Sequence, residues 1–132
     1  MARKCYVVSG TEIRESLVNL SQLPEINGQI NVDVQSGLLY QHVASGATIR
    51  TSEIGPNGYL ASHRSEGTAC IQVLSGSGVT GLVDGEGNTL CEISLSAGDL
   101  ITFEDNMPLH FYRAGGAGMT YIAISFPASG QK

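Results

Sequence analysis

The chain has 132 residues, of which 42% are hydrophobic and 14% are charged, so an intrinsically disordered chain is excluded and one folded domain is indicated. Twelve acidic residues against seven basic ones give a net charge of −5, and no cluster of Lys or Arg occurs, which argues against nucleic acid as a partner. No apolar run is long enough to cross a bilayer, and the N-terminus lacks the apolar stretch of a signal peptide. We therefore expect a cytoplasmic protein with no membrane partner.

One helix is predicted near the N-terminus. Ser9 and Glu12 have the spacing of a capping box, in which each side chain bonds a free backbone amide of the first turn. The apolar residues that follow recur on one helical face: Ile13, Leu17 and Leu20. Because a proline ends a helix, this one should stop before Pro24. We interpret residues 1–28 as a helical lead-in and residues 29–132 as the main body of a single domain.

From Gln29 onward, apolar and polar residues alternate, which is the pattern of half-buried β-strands. Short β-prone runs follow one another, and segments rich in Gly, Asn, Asp and Pro separate them. These predicted turns occupy residues 56–58, 75–78, 84–88, 97–99 and 115–118. Short strands at even spacing predict an all-β sandwich or barrel.

Histidine is scarce, and two of the three histidines stand out by their position. His63 and Ser65 have the same parity along one predicted strand, so both side chains point to the same side of the sheet. His110 and Tyr112 are related in the same way on a later strand. If the strands close into a barrel, side chains of like parity share its interior or its exterior.

The first of these segments resembles a motif of the cupin superfamily, whose small members are double-stranded β-helix barrels, also called jelly rolls. In that motif a glycine leads to two histidines, a glutamate and a closing glycine. Gly58, His63 and Gly76 stand at matching positions here. Ser65 occupies the position of the second histidine, and Ala69 that of the glutamate.

A second cupin motif is similar to the segment that begins at Gly98. It runs from a glycine through a turn with proline to a histidine, and Pro108 and His110 match it with one residue inserted. The final asparagine of the motif falls on Ala114. Together the two motifs extend the resemblance over residues 47–126.

This resemblance implies an all-β, cupin-like jelly-roll barrel, here with one short N-terminal helix. It also implies that the two motif strands are neighbours, so that His63 and His110 converge in one barrel mouth. There they would hold a divalent metal (iron, manganese, nickel or zinc) or act as general acid and base. Ser65 and Tyr112 would lie beside them as catalytic residues, and no organic cofactor is indicated.

Four other side chains are weaker candidates for the same pocket. Glu66 has the chemistry of a ligand but fits a solvated turn carboxylate better. Cys70 could take the glutamate position with a longer spacer, although an inert buried thiol is favoured. His42 lies outside both motifs and is interpreted as a surface or interface histidine. Tyr59 shares the parity of His63 and is either a pocket residue or a core aromatic.

Three functions fit these residues. The first is an enzyme that acts on a small polar metabolite; because the motif carboxylate is missing, isomerase, cyclase or lyase chemistry is favoured over dioxygenation. The second is a ligand-binding or sensing module without turnover or metal. The third is a structural jelly roll with a filled interior. In each case we expect a homodimer, formed through the open strands of residues 29–43.

Overall fold

The computed structural model describes residues 2–64, 67–104 and 109–127. Within those ranges all regular secondary structure is β-strand. None of the described residues form a helix that could span a membrane. The strands in chain order are β1 (Ala2–Ser9), β2 (Glu12–Asn19), β3 (Ser21–Gln22), β4 (Glu25–Ile26), β5 (Gln29–Ile30), β6 (Val32–Gln41), β7 (Thr48–His63), β8 (Thr68–Val83), β9 (Thr89–Ser96), β10 (Leu100–Phe103) and β11 (Leu109–Phe126). The prediction of an all-β protein is confirmed.

The main sheet is antiparallel and has the strand order β10-β8-β11-β7-β6-β3, with β9 paired to β8. Its longest strands, β7, β8 and β11, lie side by side in the middle. Alternate side chains of these strands form the hydrophobic core, which also takes residues from β6, β9 and β10. The buried core cluster consists of Val34, Ile54, Leu60, Ala69, Ile71, Val73, Leu95, Phe103, Tyr112, Ala114, Met119 and Tyr121.

The prediction of an N-terminal helix is wrong, because this segment forms the β1–β2 hairpin. Gly10 starts the two-residue turn with a φ of 63°, a conformation that glycine adopts without strain. Ser9 and Glu12, the two residues of the expected capping box, face each other across that turn. Ile13 and Leu17 are four residues apart, and this spacing also puts them on one face of a strand. The apolar spacing was therefore compatible with both structures.

Three of the predicted turns, at residues 56–58, 75–78 and 115–118, lie inside long strands instead. The register of β11 shifts between Arg113 and Met119 in its pairing with β7, and between Ala114 and Met119 in its pairing with β8, so the strands bend there without ending. Gly76 has a φ of 76°, and a Cβ atom on it would stand 2.0 Å from the carbonyl oxygen of Gly118. The glycines therefore let two backbones cross closely at a bulge.

The other two predicted turns are real. At residues 84–88 the Asp84 carboxylate accepts hydrogen bonds from the backbone N–H groups of Glu86 and Asn88. At residues 97–99 the Asp99 carboxylate accepts one from the Ser96 N–H. In both cases a short acidic side chain satisfies the backbone groups of the turn.

Candidate functional site

The structure brings His63, His110 and Tyr112 together in the barrel. His63 is the last residue of β7 and lies directly opposite His110 on β11. The two imidazole rings have centroids 4.7 Å apart. The ring of Tyr112 is 5.4 Å from that of His110 and 6.1 Å from that of His63. Ser65, the fourth predicted site residue, lies outside the described residues, as do Glu66 and Pro108.

A β-bulge decides which side chains of β7 join this group. His63 pairs with His110, but the next pair is Leu60 with Tyr112, so β7 has one residue more than β11 between the pairs. The extra residue reverses the parity of β7. Tyr59 consequently lies on the other face of the sheet, where its ring is 5.5 Å from Phe111. Tyr59 is therefore not a pocket residue.

Two further rings complete an aromatic cluster that we define as His63, Phe103, His110, Tyr112 and Tyr121. Phe103, at the end of β10, stacks on His110 with centroids 4.1 Å apart and an angle of 13°. Tyr121 stacks on Tyr112 at 5.1 Å and 27°. Neither residue is among the site residues that the sequence predicts. Tyr121 could not be aligned with Tyr112 by parity, because the bulge at residues 115–118 lies between them.

The protonation of His63 follows from its hydrogen bond. Its Nδ1 lies 2.8 Å from the carbonyl oxygen of Ala61. Because a carbonyl oxygen only accepts, Nδ1 must donate, and in the neutral ring the other nitrogen, Nε2, keeps its lone pair. Burial lowers the pKa of His63, and the bond to Ala61 opposes this shift with a smaller effect. The side chain is thus a neutral hydrogen-bond acceptor at Nε2.

Tyr112 provides a hydrogen-bond donor beside the acceptor on His63. Its side chain is 1% exposed, and its hydroxyl has no hydrogen-bond partner within the described part of the chain. Burial, reinforced by the neighbouring Tyr121, holds the pKa of Tyr112 well above its ordinary value, so the hydroxyl keeps its proton. Burial also raises the pKa of Tyr121 to about 12, and the Ser52 side chain opposes this shift with a smaller effect. Tyr112 therefore carries an unused donor.

The remaining cupin motif positions are apolar. Ala69, at the glutamate position, and Ala114, at the asparagine position, are both buried in the core. Among the described residues no group of three His, Cys, Asp or Glu side chains could hold a metal ion. Proteins bind divalent cations of this kind tightly with three or four side chains. The described donors, two imidazoles, do not fit such a centre, and a metal at His63 and His110 stays a prediction.

The other two candidates lie away from the cluster. Cys70 is half-buried between the inward-facing Ala69 and Ile71 and therefore points outward, 3.6 Å from the Thr102 hydroxyl. His42 is exposed beyond the end of β6, with its Nδ1 2.6 Å from the Ser45 hydroxyl. Neither side chain contributes to the site.

Comparison with known proteins identifies the fold. No protein-family profile and no curated protein sequence matches the chain. A cupin 2 conserved barrel domain protein from Rhodopseudomonas palustris has a similar structure, with a TM-score of 0.70 and 18% identity over 98% of this chain and 83% of that one. The chain thus has the fold of these small cupin structures, a double-stranded β-helix barrel, and this fold is the one that the sequence predicted.

Two neighbours with described activities share this fold. One is a predicted oxalate decarboxylase from Thermotoga maritima, with a TM-score of 0.64 and 18% identity over 83% of this chain and 93% of that one. The other is the polyketide cyclase RemF from Streptomyces resistomycificus, with a TM-score of 0.61 and 20% identity over 85% and 75%. Such different reactions on one fold mean that the side chains of the site must decide the function.

Proposed function

We propose that this protein binds a small polar metabolite inside its barrel, at His63, His110 and Tyr112. The unpartnered hydroxyl of Tyr112 is the observation that carries the proposal. A buried donor without a partner costs free energy, and buried polar groups without partners are rare in folded proteins. A ligand that accepts a hydrogen bond from Tyr112 removes this cost when it binds.

Tyr112 and His63 together support an enzyme with isomerase, cyclase or lyase activity. Reactions of these classes often begin when a base removes a proton from a carbon or oxygen next to a carbonyl group. Nε2 of His63 is a neutral base in this position, and the Tyr112 hydroxyl could bond the carbonyl oxygen on which negative charge develops. Ser65 remains a second catalytic candidate on the strength of its spacing alone.

A second candidate function is a ligand-binding or sensing module without turnover. The observation in its favour is the alanine at position 69, which puts a methyl group where catalytic cupins place a glutamate. Such a module would bind its ligand with the same three side chains but would leave it unchanged.

Ligand extraction tests the proposal. The protein is purified under mild conditions and denatured, and the released small molecules are identified by mass spectrometry. We expect a compound that is retained by the wild type and lost from the Tyr112→Phe and His63→Phe variants. Tyr6→Phe, a change on the exposed face of the hairpin, is the matched control. Equal recovery of every compound from all four proteins would overturn the proposal.

Incubation of the extracted compound with the purified protein separates the two candidate functions. Conversion of the compound by the wild type, lost in His63→Phe, favours the enzyme. Protein that binds the compound and returns it unchanged favours the module.

A further inference from the structure

We infer that Asn31 is a positioning residue of this site, which holds Ala61 in place and through it decides which ring nitrogen of His63 carries the proton. Asn31 lies between β5 and β6, 30 positions before Ala61 in the chain. Its effect on the His63 ring follows from the hydrogen bonds of Ala61, and its importance for the ligand rests on the proposed function.

The bulge on β7 interrupts the regular hydrogen bonding of the strand at Ala61. This residue lies in a stretch of two residues that faces a single residue of β11. On the other side, the pairing of β7 with β6 begins at Tyr59, two residues before Ala61. Ala61 is 1% exposed, so its backbone N–H and C=O groups need partners within the protein. Side chains have to provide what the interrupted ladder does not.

Two side chains provide these partners. The amide oxygen Oδ1 of Asn31 accepts a hydrogen bond of 2.8 Å from the Ala61 N–H. The carbonyl oxygen of Ala61 accepts one of 2.8 Å from Nδ1 of His63. Both bonds meet at one residue, so Ala61 connects Asn31 to the His63 ring. With Nδ1 as the donor, the neutral ring has its lone pair on Nε2.

Asn31 is itself fixed by its surroundings. It is 7% exposed, and its Nδ2 donates a hydrogen bond of 3.0 Å to the carbonyl oxygen of Leu23. Its backbone N–H donates one of 2.9 Å to the carbonyl oxygen of Pro24. Only the amide nitrogen can donate to Leu23, and only the amide oxygen can accept from Ala61. These bonds therefore allow one orientation of the Asn31 side chain.

This chain of contacts matters because the proposed function uses Nε2 of His63 as an acceptor or base. If Ala61 moved and its carbonyl oxygen no longer accepted from Nδ1, nothing in this contact would hold the proton there. A proton on Nε2 would turn that nitrogen into a donor, and the ring could not remove a proton from a bound molecule at this position. Asn31 thus selects the form of His63 that the site requires.

NMR of the purified protein tests the inference, because the ¹⁵N chemical shifts of an imidazole ring report which nitrogen carries the proton. At pH 8, above the ordinary histidine pKa of about 6.5, the ring is neutral. In the wild type we expect the His63 proton on Nδ1 and slow exchange of the Ala61 amide with solvent. Asn31→Leu keeps the size of the side chain without the acceptor. It should lower the ratio of the Nδ1–H form to the Nε2–H form at least about fivefold, the size of one net hydrogen bond.

Two further variants separate positioning from a general loss of stability. Asn31→Asp keeps an oxygen that accepts from the Ala61 N–H but has no donor for Leu23, so the proton should stay on Nδ1. Thr51→Val is the matched control, since it removes another buried hydrogen bond, 3.2 Å long, from the Thr51 hydroxyl to the carbonyl oxygen of Tyr121. It should lower the free energy of unfolding and leave the His63 ring unchanged.

A wild type with the proton on Nε2 would overturn the inference, and this result needs no variant. A folded Asn31→Leu protein with the wild-type ratio would overturn it as well. So would equal changes in Asn31→Leu and Asn31→Asp, because the acceptor for Ala61 is present in the second. None of these measurements needs a ligand, so each can fail while the extraction experiment succeeds. Conversely, extraction without a retained compound contradicts the proposed function and leaves the effect of Asn31 on His63 standing.

Discussion

Two stacked tyrosines in the barrel have hydroxyl groups in opposite situations. The hydroxyl of Tyr121 interacts with the Ser52 side chain, whereas that of Tyr112 is buried without a partner in the described part of the chain. Both side chains are buried and their rings are in contact at 5.1 Å. They form a natural pair in which the same substitution should have different effects.

Tyr112→Phe should leave the free energy of unfolding unchanged or raise it by about 1 kcal/mol, because the variant no longer buries an unsatisfied hydroxyl. Tyr121→Phe should lower it by about 1 kcal/mol, because the interaction of the Tyr121 hydroxyl with Ser52 is lost. Urea denaturation of the ligand-free proteins measures both. A loss of stability in Tyr112→Phe as large as that in Tyr121→Phe would mean that the Tyr112 hydroxyl has a partner.

His63 should make the stability of the protein depend on pH. Its pKa is lowered in the folded state, so below its unfolded value of about 6.5 the unfolded chain binds a proton that the folded chain does not. Above that pH His63 is neutral in both states and the free energy of unfolding does not depend on it. As the pH falls toward the folded pKa, protonation of His63 in the unfolded chain lowers the free energy of unfolding progressively.

Urea midpoints measured between pH 8 and pH 5 test this dependence. The midpoint should fall less steeply in His63→Phe, which has no titrating group at this position. His42→Gln, at an exposed histidine, should follow the wild type. A wild-type slope in His63→Phe would contradict the expected role of His63.

At the scale of the element, the predictions from sequence succeeded for strand character and failed where a pattern had two meanings. The alternation from Gln29 onward could only describe strands. Ile13 and Leu17, four residues apart, fitted a helix and a strand equally, and glycines signalled both turns and bulges. Which meaning holds depends on pairing with distant strands, as between Gly76 and Met119, and this pairing cannot be read from local sequence.

Gly76 should tolerate no side chain. Alanine there would adopt a positive φ and place its Cβ atom 2.0 Å from the Gly118 carbonyl oxygen, so β8 and β11 would have to move apart. We expect Gly76→Ala to lower the free energy of unfolding by about 3 kcal/mol. Gly85→Ala, in an open turn without a positive φ, should change it by less than about 0.5 kcal/mol. Equal midpoints in thermal or urea denaturation would show that the strands do not cross closely.

The candidate site could be predicted in part. The parity of His110 and Tyr112, together with the motif resemblance, identified three side chains that the structure places together. The parity of Tyr59 predicted the wrong face of the sheet, because a bulge on β7 reverses the alternation of its side chains. No sequence pattern indicated Phe103, which contacts His110 from another strand.

At the scale of the whole molecule, we propose a homodimer formed through residues 29–43. Ile30 and Val32 are 76% and 54% exposed, and an apolar surface on open strands favours pairing. Sedimentation at tens of micromolar should show a dimer, the state that an interface of standard size supports at this concentration.

Charge substitutions locate the interface. The double change Ile30→Lys and Val32→Lys should produce a monomer, whereas Ile13→Lys on the hairpin, at a residue that is 69% exposed, should not. The reverse result would place the interface on the β1–β2 hairpin. A monomeric wild type would show that the chain does not dimerise under these conditions.

The bulges at residues 56–58, 75–78 and 115–118 also govern how the barrel comes apart. β7, β8 and β11 continue through these bulges without a break. The described part of the barrel therefore has no connecting loop at the bulges that would let one half of the barrel unfold before the other. Unfolding of the barrel should therefore be a single cooperative event. The β1–β2 hairpin, which forms a sheet of its own, can open separately, and its amide protons should exchange with solvent long before those of the barrel.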